Sequence, residues 1–371
     1  MIELNVYNTI MLPLAVIDKI TSLIWTRRYW SAGDFKLLVP FTDLHSEIIK
    51  KHNIIMKRGD TEAAEIRYVK IRKNPQGVEE IEAQGRFITN WIGKRIVRNQ
   101  ISTQDNTQNI IKRIMNENVV NPANSKRKIP NVILNPDTDI GSGIINYTSE
   151  AYINALLGIE DAAKAAKIGF KMISDVRTGI HAFSVYSGKN LTADQTENQP
   201  CIFSPEFNNV SEQEYTNSIE NLKSTVFVGG EDTEQRIVVE VGETAEGIER
   251  DEVFINATDI AQNYTDDNRN EISLTDAQYR SLLLARGLSE LEHFTETLNF
   301  TSKINTHANL QYKNDYDIGD RVTCINKSWG IRINARITEI SETYQQNTQS
   351  LDITFGESLP MLLDTIRQIT K

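Results

Sequence analysis

Apolar and polar residues alternate in short runs near both ends of the chain. Leu37, Val39 and Phe41 alternate with Leu38, Pro40 and Thr42 after a turn at Ser31-Ala32-Gly33-Asp34. Gly33 suits the left-handed corner a hairpin needs. Residues 65–72 alternate with period two, as a half-buried strand does. Asn74-Pro75-Gln76-Gly77 has the residue order of a β-turn, and residues 78–83 resume the extended pattern, which predicts a hairpin. Residues 86–92 continue as a third extended stretch. Many short strands with few helices predict a small barrel or sandwich over 1–98.

The pattern changes over 99–192. Ile110, Ile111, Ile114 and Met115 recur at helical spacing within 104–119, with Ser102 or Thr103 as N-cap. A Pro-, Asn- and Lys-rich loop (121–130) leads to a short strand, Val132-Ile133-Leu134, and the glycine-flanked Gly141-Ser142-Gly143. The Ala- and Leu-rich stretch 150–168 predicts a second helix. Residues 171–176 and 181–186 form a hairpin pattern around Thr178-Gly179. This middle block is α+β. Residues 193–221 are polar and irregular.

Extended patterns return at 225–228 and 236–241. Thr275-Asp276-Ala277-Gln278 is a capping box that opens a helix near 275–294, with Leu284, Leu288 and Leu291 on one face. Strands follow at 321–325, 331–337 and 351–355, and the tail 361–370 has helical character. The reading is a β-rich α+β multidomain chain: a β block at 1–98, an α+β middle at 99–221, and a second β block at 222–371 containing one helix and a short C-terminal tail.

Charge sharpens this division. The chain has 371 residues and a net charge of −10. Residues 1–130 carry 21 Lys/Arg against 13 Asp/Glu, whereas 131–371 carry 19 against 37. Residues 194–276 alone hold 20 Asp/Glu and 4 Lys/Arg. Such asymmetry fits two faces with different partners, not a general nucleic-acid binder, which is basic as a whole. No apolar run approaches the ~18 residues of a membrane span. The N-terminus lacks the basic and apolar regions of a signal peptide, which points to synthesis in the cytoplasm without signal-directed export. Cys201 and Cys324 are too few for a disulfide framework and read as ordinary thiols.

Catalytic chemistry is sparse. His45, His52, His181, His293 and His307 show no metal-site spacing. Asp315, Asp317 and Asp320 resemble part of a calcium loop, but the Gly is misplaced and the bidentate Glu is missing, so they read as a polar turn with Gly319 providing backbone freedom. Gly229-Gly230 precedes Glu231-Asp232, which would repel phosphate, and Gly141-Ser142-Gly143 has no Lys behind it. No Gly-x-Ser-x-Gly elbow occurs, and nothing singles out a carboxylate pair for glycoside hydrolysis. Arg27-Arg28-Tyr29-Trp30 has the composition of a nucleic-acid stacking patch, but its place in a strand leading to a turn favours packing and ion pairing. The sequence assigns no catalytic, cofactor-binding or metal-ligating residue, no cofactor and no enzyme activity.

Two separated stretches carry a family resemblance. Trp25-Thr26-Arg27-Arg28-Tyr29, Gly33-Asp34-Phe35-Lys36-Leu37 and Pro40 resemble the N-terminal signature of tail-hub proteins of siphophages and prophages. Tyr316-Asp317-Ile318-Gly319-Asp320-Arg321-Val322, Trp329-Gly330-Ile331, residues 336–340 and residues 354–360 resemble the same family's final barrel. Asn221-Leu222-Lys223-Ser224, Val228-Gly229-Gly230-Glu231 and Arg250-Asp251-Glu252 lie between them in the same order. The resemblance spans nearly the whole chain, and the ordered set gives it its specificity.

Such hubs are similar to the central hub proteins of contractile tails. The resemblance implies two tail-hub β-barrel domains bracketing an α+β middle, and a homotrimer whose six barrels sit under a sixfold tail tube. Implied partners are the distal tail or tail-tube ring protein, a spike or fibre, and the C-terminus of a tape-measure protein. DNA is a partner only in transit through the lumen, and the implied location is the virion tail tip. The alternatives are a tail-tip hydrolase acting on peptidoglycan or surface polysaccharide, and a receptor-binding module using exposed Trp and Tyr.

Overall fold

The computed structural model describes residues 2–356 except 74–76, 100, 137–139, 141–142, 150–151, 243, 266–270, 292 and 346–347. The turn residues Asn74-Pro75-Gln76, the Gly141-Ser142 step, the family stretch 357–360 and the tail 361–370 lie outside the described residues.

The protein is β-rich with several sheets, and no described sheet closes on itself. The largest sheet brings the two ends of the chain together. Strand Ser22–Arg28 pairs antiparallel with Ile331–Gln345, placing Trp25 opposite Glu342 and Arg28 opposite Glu339. From this seam the sheet runs one way through Asp34–Pro40, Glu79–Phe87 and Ala63–Lys73, then Ile54–Lys57, Leu4–Tyr7 and Pro13–Ile17. It runs the other way through Thr348–Gly356 and Thr297–Ile304 to Val210–Ser218.

The predicted 65–83 hairpin is present, with Arg72 opposite Glu80 and Ile71 opposite Ile81. Gly33 differs from expectation in its physical role. Its φ is not positive; instead a Cβ there would lie 2.3 Å from the Thr26 carbonyl oxygen, so the position needs glycine for close backbone approach. The extended stretch expected over 86–92 ends at Phe87, where a 3₁₀ turn, Ile88–Lys94, begins. Ile88, Trp91 and Ile92 share one face of that turn and enter the core of the middle block.

The middle block packs helix Thr107–Met115 against helix Ala155–Ala165. Asn106, not Ser102 or Thr103, caps the first: its side chain accepts from the Gln108 N–H at 2.9 Å. Residues 102–106 are instead a strand pairing with Ile144–Thr148. Asn154 caps the second helix. The hairpin Gly169–Asp175 with Ile180–Tyr186 turns through Gly179 at φ +68°, and Val132–Leu134 joins it in parallel.

Residues 210–218, expected to be irregular, form a nine-residue strand. Their polar sequence, VSEQEYTNS, hides the pattern, and pairing with Thr297–Ile304 supplies what local periodicity does not. Residues 225–291 build a separate small core. Strand Thr225–Gly229 lies between Val238–Gly242 and Glu252–Asn256, with helix Asp276–Leu291 packed on one face. The capping box is reciprocal, Gln278 N–H donating to Thr275 Oγ1 at 3.3 Å and Thr275 N–H to Gln278 Oε1 at 3.0 Å. The buried face of this helix carries Tyr279, Leu283 and Gly287. Leu284 and Leu288, which the sequence places on one face with Leu291, are exposed. The i, i+4 row from Tyr279 fits the sheet because Gly287 leaves room for Val228 and Val241, 2.9 and 2.6 Å from where its Cβ would stand.

Candidate functional site

The two family-like stretches, almost 300 residues apart, meet in space. Their meeting point is a buried ionic joint along the seam between Ser22–Arg28 and Ile331–Gln345. Strand alternation sends Trp25 and Arg27 to one face and Thr26 and Arg28 to the other. Arg27 is 3% exposed. Its Nε donates to Glu62 Oε2 at 2.9 Å and its Nη1 to Asp317 Oδ1 at 2.6 Å and the Tyr312 hydroxyl at 2.8 Å. Beside it, Lys57 Nζ donates to Glu342 and lies 3.5 Å from Asp60 Oδ2. Lys313 Nζ approaches the same Asp60 oxygen at 3.4 Å. On the opposite face Arg28 bridges Glu339, at 2.7 Å, and Asp34.

Burial and charge compete at each of these groups. Burial lowers the Arg27 pKa, but Tyr312, Glu62, Asp317 and Asp60 outweigh it and hold the value well above normal. Burial raises Asp60, yet Arg27, Lys57 and Lys313 bring it below the usual carboxylate range. For Glu62 burial wins over Arg27, and its carboxyl is pushed up. Lys57 is pushed down by burial despite Glu342 and Asp60. The carboxylates therefore anchor cations already inside the fold.

Tyr29 extends the joint to the middle block. Its ring is fully buried, with the Arg336 guanidinium 5.1 Å from its centroid and Tyr186 edge-on at 5.3 Å. Its hydroxyl donates to the Lys167 carbonyl at 3.3 Å. Two glycines make room for the ring: a Cβ at Gly169 or Gly319 would stand 2.2 or 2.5 Å from it. Gly319 also has φ +94°, so both space and backbone require glycine there.

Each sequence candidate has a structural place. Arg27-Arg28-Tyr29-Trp30 sits inside the joint, and a buried guanidinium held by carboxylates presents no surface to a phosphate. The 315–320 turn precedes strand Arg321–Asn326, and Asp320 accepts from Asp317 N–H at 2.9 Å and Lys189 N–H at 2.7 Å. Gly230 makes room for Tyr279, whose hydroxyl would lie 2.3 Å from a Cβ. His45 Nδ1 bonds the Pro40 carbonyl at 2.8 Å, and His52 lies 2.9 Å from Glu65. His181 is buried against Trp91 and Ser174, and burial lowers its pKa to about 4. His293 and His307 are exposed. Cys201 and Cys324 are buried and free, with burial raising the Cys201 thiol to about 11. Among the described residues no group of three or more His, Cys, Asp or Glu is placed to hold a metal ion. No described helix is long and apolar enough to cross a membrane.

A second surface was missed by sequence reading. The open face of the three-stranded sheet in 225–256 carries Phe227 and the half-exposed Phe254. Arg250 lies over Phe227 at 5.9 Å and Arg236 over Phe254 at 5.1 Å. Glu240 and Glu252 hold Arg250 at 2.7 and 2.5 Å. The clue in the sequence was Arg250-Asp251-Glu252, but its partner Glu240 comes from another strand.

The chain shares its fold with solved tail proteins. A tail protein from Neisseria meningitidis MC58 superposes with a TM-score of 0.56 at 12% identity, covering 96% of this chain and 97% of that one. The 43 kDa tail protein of prophage MuSo2 from Shewanella oneidensis gives 0.57 at 14%, covering 95% and 97%. The prophage tail protein gp18 from Listeria monocytogenes EGD-e gives 0.51 at 11%, covering 99% and 98%. No curated protein matches the sequence. A family model does, over residues 3–357, a span that contains both halves of the ionic joint. The chain belongs to the Siphovirus ReqiPepy6 Gp37-like protein family.

Proposed function

We propose that this chain is a structural, non-enzymatic hub of a phage or phage-like tail tip. The observation that carries the reading is the near full-length fold shared with tail proteins, 95% or more of both chains in the Neisseria and Shewanella cases. Full-length agreement matters because a fold alone hosts many functions. Here Arg27, Arg28 and Asp317 of the family-like stretches are matched to partners inside the chain.

In this reading 1–98 and 222–371 act as barrel-like hub domains around the 99–221 middle. Three copies form a ring between the tail tube with its distal ring protein and a spike or fibre, within reach of the tape-measure C-terminus. The basic first block and the acid-rich later region suit heterologous contacts, in which one surface meets a different one on the next copy. Carboxylates facing a lumen would repel the phosphates of passing DNA.

Imaging of assembled particles tests the proposal. The expected result is density for this chain at the tail tip in three copies, and a native mass near three protomers when assembled. Absence of the chain from purified particles, or lysis of cell walls by the purified chain on a zymogram, would overturn it.

A further inference from the structure

Besides its end strand Pro13–Ile17, the large sheet leaves two open edge stretches among the described residues, and they complement each other. Strand Ala63–Lys73 has a neighbour on its outer side only at its start, where Ile54–Lys57 pairs with residues 63–65. After a bulge at Arg67 the stretch 68–73 is paired, among the described residues, on one side only, to Glu79–Phe87. It is exposed on both faces apart from the half-buried Val69, with Ile71 58% exposed. A groove lined by Ile49, Lys50, Lys51, His52 and Val69 runs beside it. At the far end, Val210–Ser218 is paired only to Thr297–Ile304 among the described residues and exposes Glu212 and Glu214.

Three properties of the sheet make these edges a match. The first is direction. Seven successive antiparallel pairings separate the two edge strands. An odd number of reversals leaves the edges running in opposite senses, so the acidic edge of a following copy would lie antiparallel to the basic edge. The second is the face. Pairing partners across the strands, with steps of two residues along a strand, keep Lys70, Arg72, Glu82, Lys36, Asp352, Lys303 and Glu212 on one face. Lys70, Arg72, Glu212 and Glu214 therefore share the polar face. The third is charge order. On that face one edge carries cations and the other carboxylates, and ion pairs link Lys36 to Glu82 at 3.5 Å and Lys303 to Glu212 at 3.3 Å between them.

We infer that copies of this chain join by β-addition, the 68–73 edge of one pairing with the 210–218 edge of the next. In the register that matches charges, Lys70 faces Glu214 and Arg72 faces Glu212. On the opposite face the half-buried Val69 meets Tyr215, which continues the Phe300 row of the core, and the exposed Ile71 meets Gln213. A two-fold contact is disfavoured because it would set the basic edge against itself, like charge opposite like. Lysines and arginines on an edge also discourage random pairing; here they select an acidic strand. The contact is heterologous, so it generates a ring where the rotation closes. This rests on the hub reading for its setting but not for its chemistry.

Cysteine crosslinking tests it, since both natural cysteines are buried. Lys70→Cys with Glu214→Cys in one chain, oxidised in assembled particles and in the concentrated purified protein, should give covalent multimers above the dimer on non-reducing gels. Each single variant should give none. Lys70→Glu with Arg72→Glu should abolish assembly at least tenfold in concentration, and adding Glu212→Lys with Glu214→Lys to the same chain should restore it. Particles that contain the chain yet give no crosslink would overturn the strand pairing while leaving the hub role intact. Crosslinked multimers of a chain absent from particles would support the pairing and overturn the hub. Efficient dimerisation of Lys70→Cys alone would overturn the pairing in favour of a two-fold contact.

Discussion

The ionic joint and the surface of the 225–291 unit use the same residue types in opposite ways. At the joint, Arg27, Lys57, Glu62 and Glu342 are almost completely buried and matched within the chain. In the 225–291 unit, carboxylates such as Asp232, Glu234, Glu246 and Glu249 stand at the surface, as does the half-exposed Phe254. Buried charge is costly to desolvate and tolerates only its own partners, so it specifies how two distant segments of one chain must align. Exposed charge contributes little to stability and stays available to other molecules. The joint thus defines the fold of the chain, and the acid-rich unit gives the surface its character.

The strongest way to break this contrast is at Arg27. Arg27→Met leaves Glu62 buried without its cation and should cost about 3–5 kcal/mol in denaturant-induced unfolding. Adding Glu62→Leu should recover much of the loss, because an apolar pair can replace a buried ion pair. A loss below about 1 kcal/mol for Arg27→Met would remove the joint from its role.

Next is the core of the 225–291 unit. Leu283 is fully buried there, and Leu283→Ala should cost about 2–5 kcal/mol. Hydrogen exchange should accelerate through 225–256 and remain slow in strands Ser22–Arg28 and Ile331–Gln345. Equal acceleration in both regions would show that the unit and the joint unfold together.

Acidification probes the middle block that Tyr29 ties to the joint. His181 has a folded pKa of about 4, below the ~6.5 of an unfolded chain. The unfolded chain takes up the proton first as pH falls, so stability is lost between about pH 6.5 and 4, by at most about 3 kcal/mol. His181→Gln should flatten this dependence in denaturation curves at pH 7.5 and 5; an unchanged slope would assign the effect to other groups. The smallest effect is expected at Leu288, 58% exposed on the helix of the acid-rich unit. Leu288→Gln should shift stability by no more than about 0.5 kcal/mol in the same assay.

Much of the local structure was legible in the sequence. The hairpins at 63–87 and 169–186, the reciprocal cap at Thr275 and the terminal strands follow from period-two alternation and turn or cap chemistry. Strand Val210–Ser218 was not, because its polar residues depend on a partner some 90 positions away. The inward face of helix Asp276–Leu291 was not legible for a related reason. Leu284 and Leu288 satisfy helical spacing as well as Leu283 does, and only the sheet beneath the helix selects the row that fits. The joint was visible as two stretches but not as one site, since no local pattern relates Arg27 to Asp317.

The sequence by itself determined many of the extended and helical segments, such as the hairpins at 63–87 and 169–186, and that charge is divided between a basic first third and an acidic remainder. Those properties depend on neighbours a few positions apart. The tertiary structure alone decided that strand Ser22–Arg28 lies beside Ile331–Gln345, that a buried Arg27 meets Glu62 and Asp317, and which sheet edges stay open. Strand pairing and the pairing of buried ions act across space, and their energies arise only once distant segments have been brought together and water removed between them.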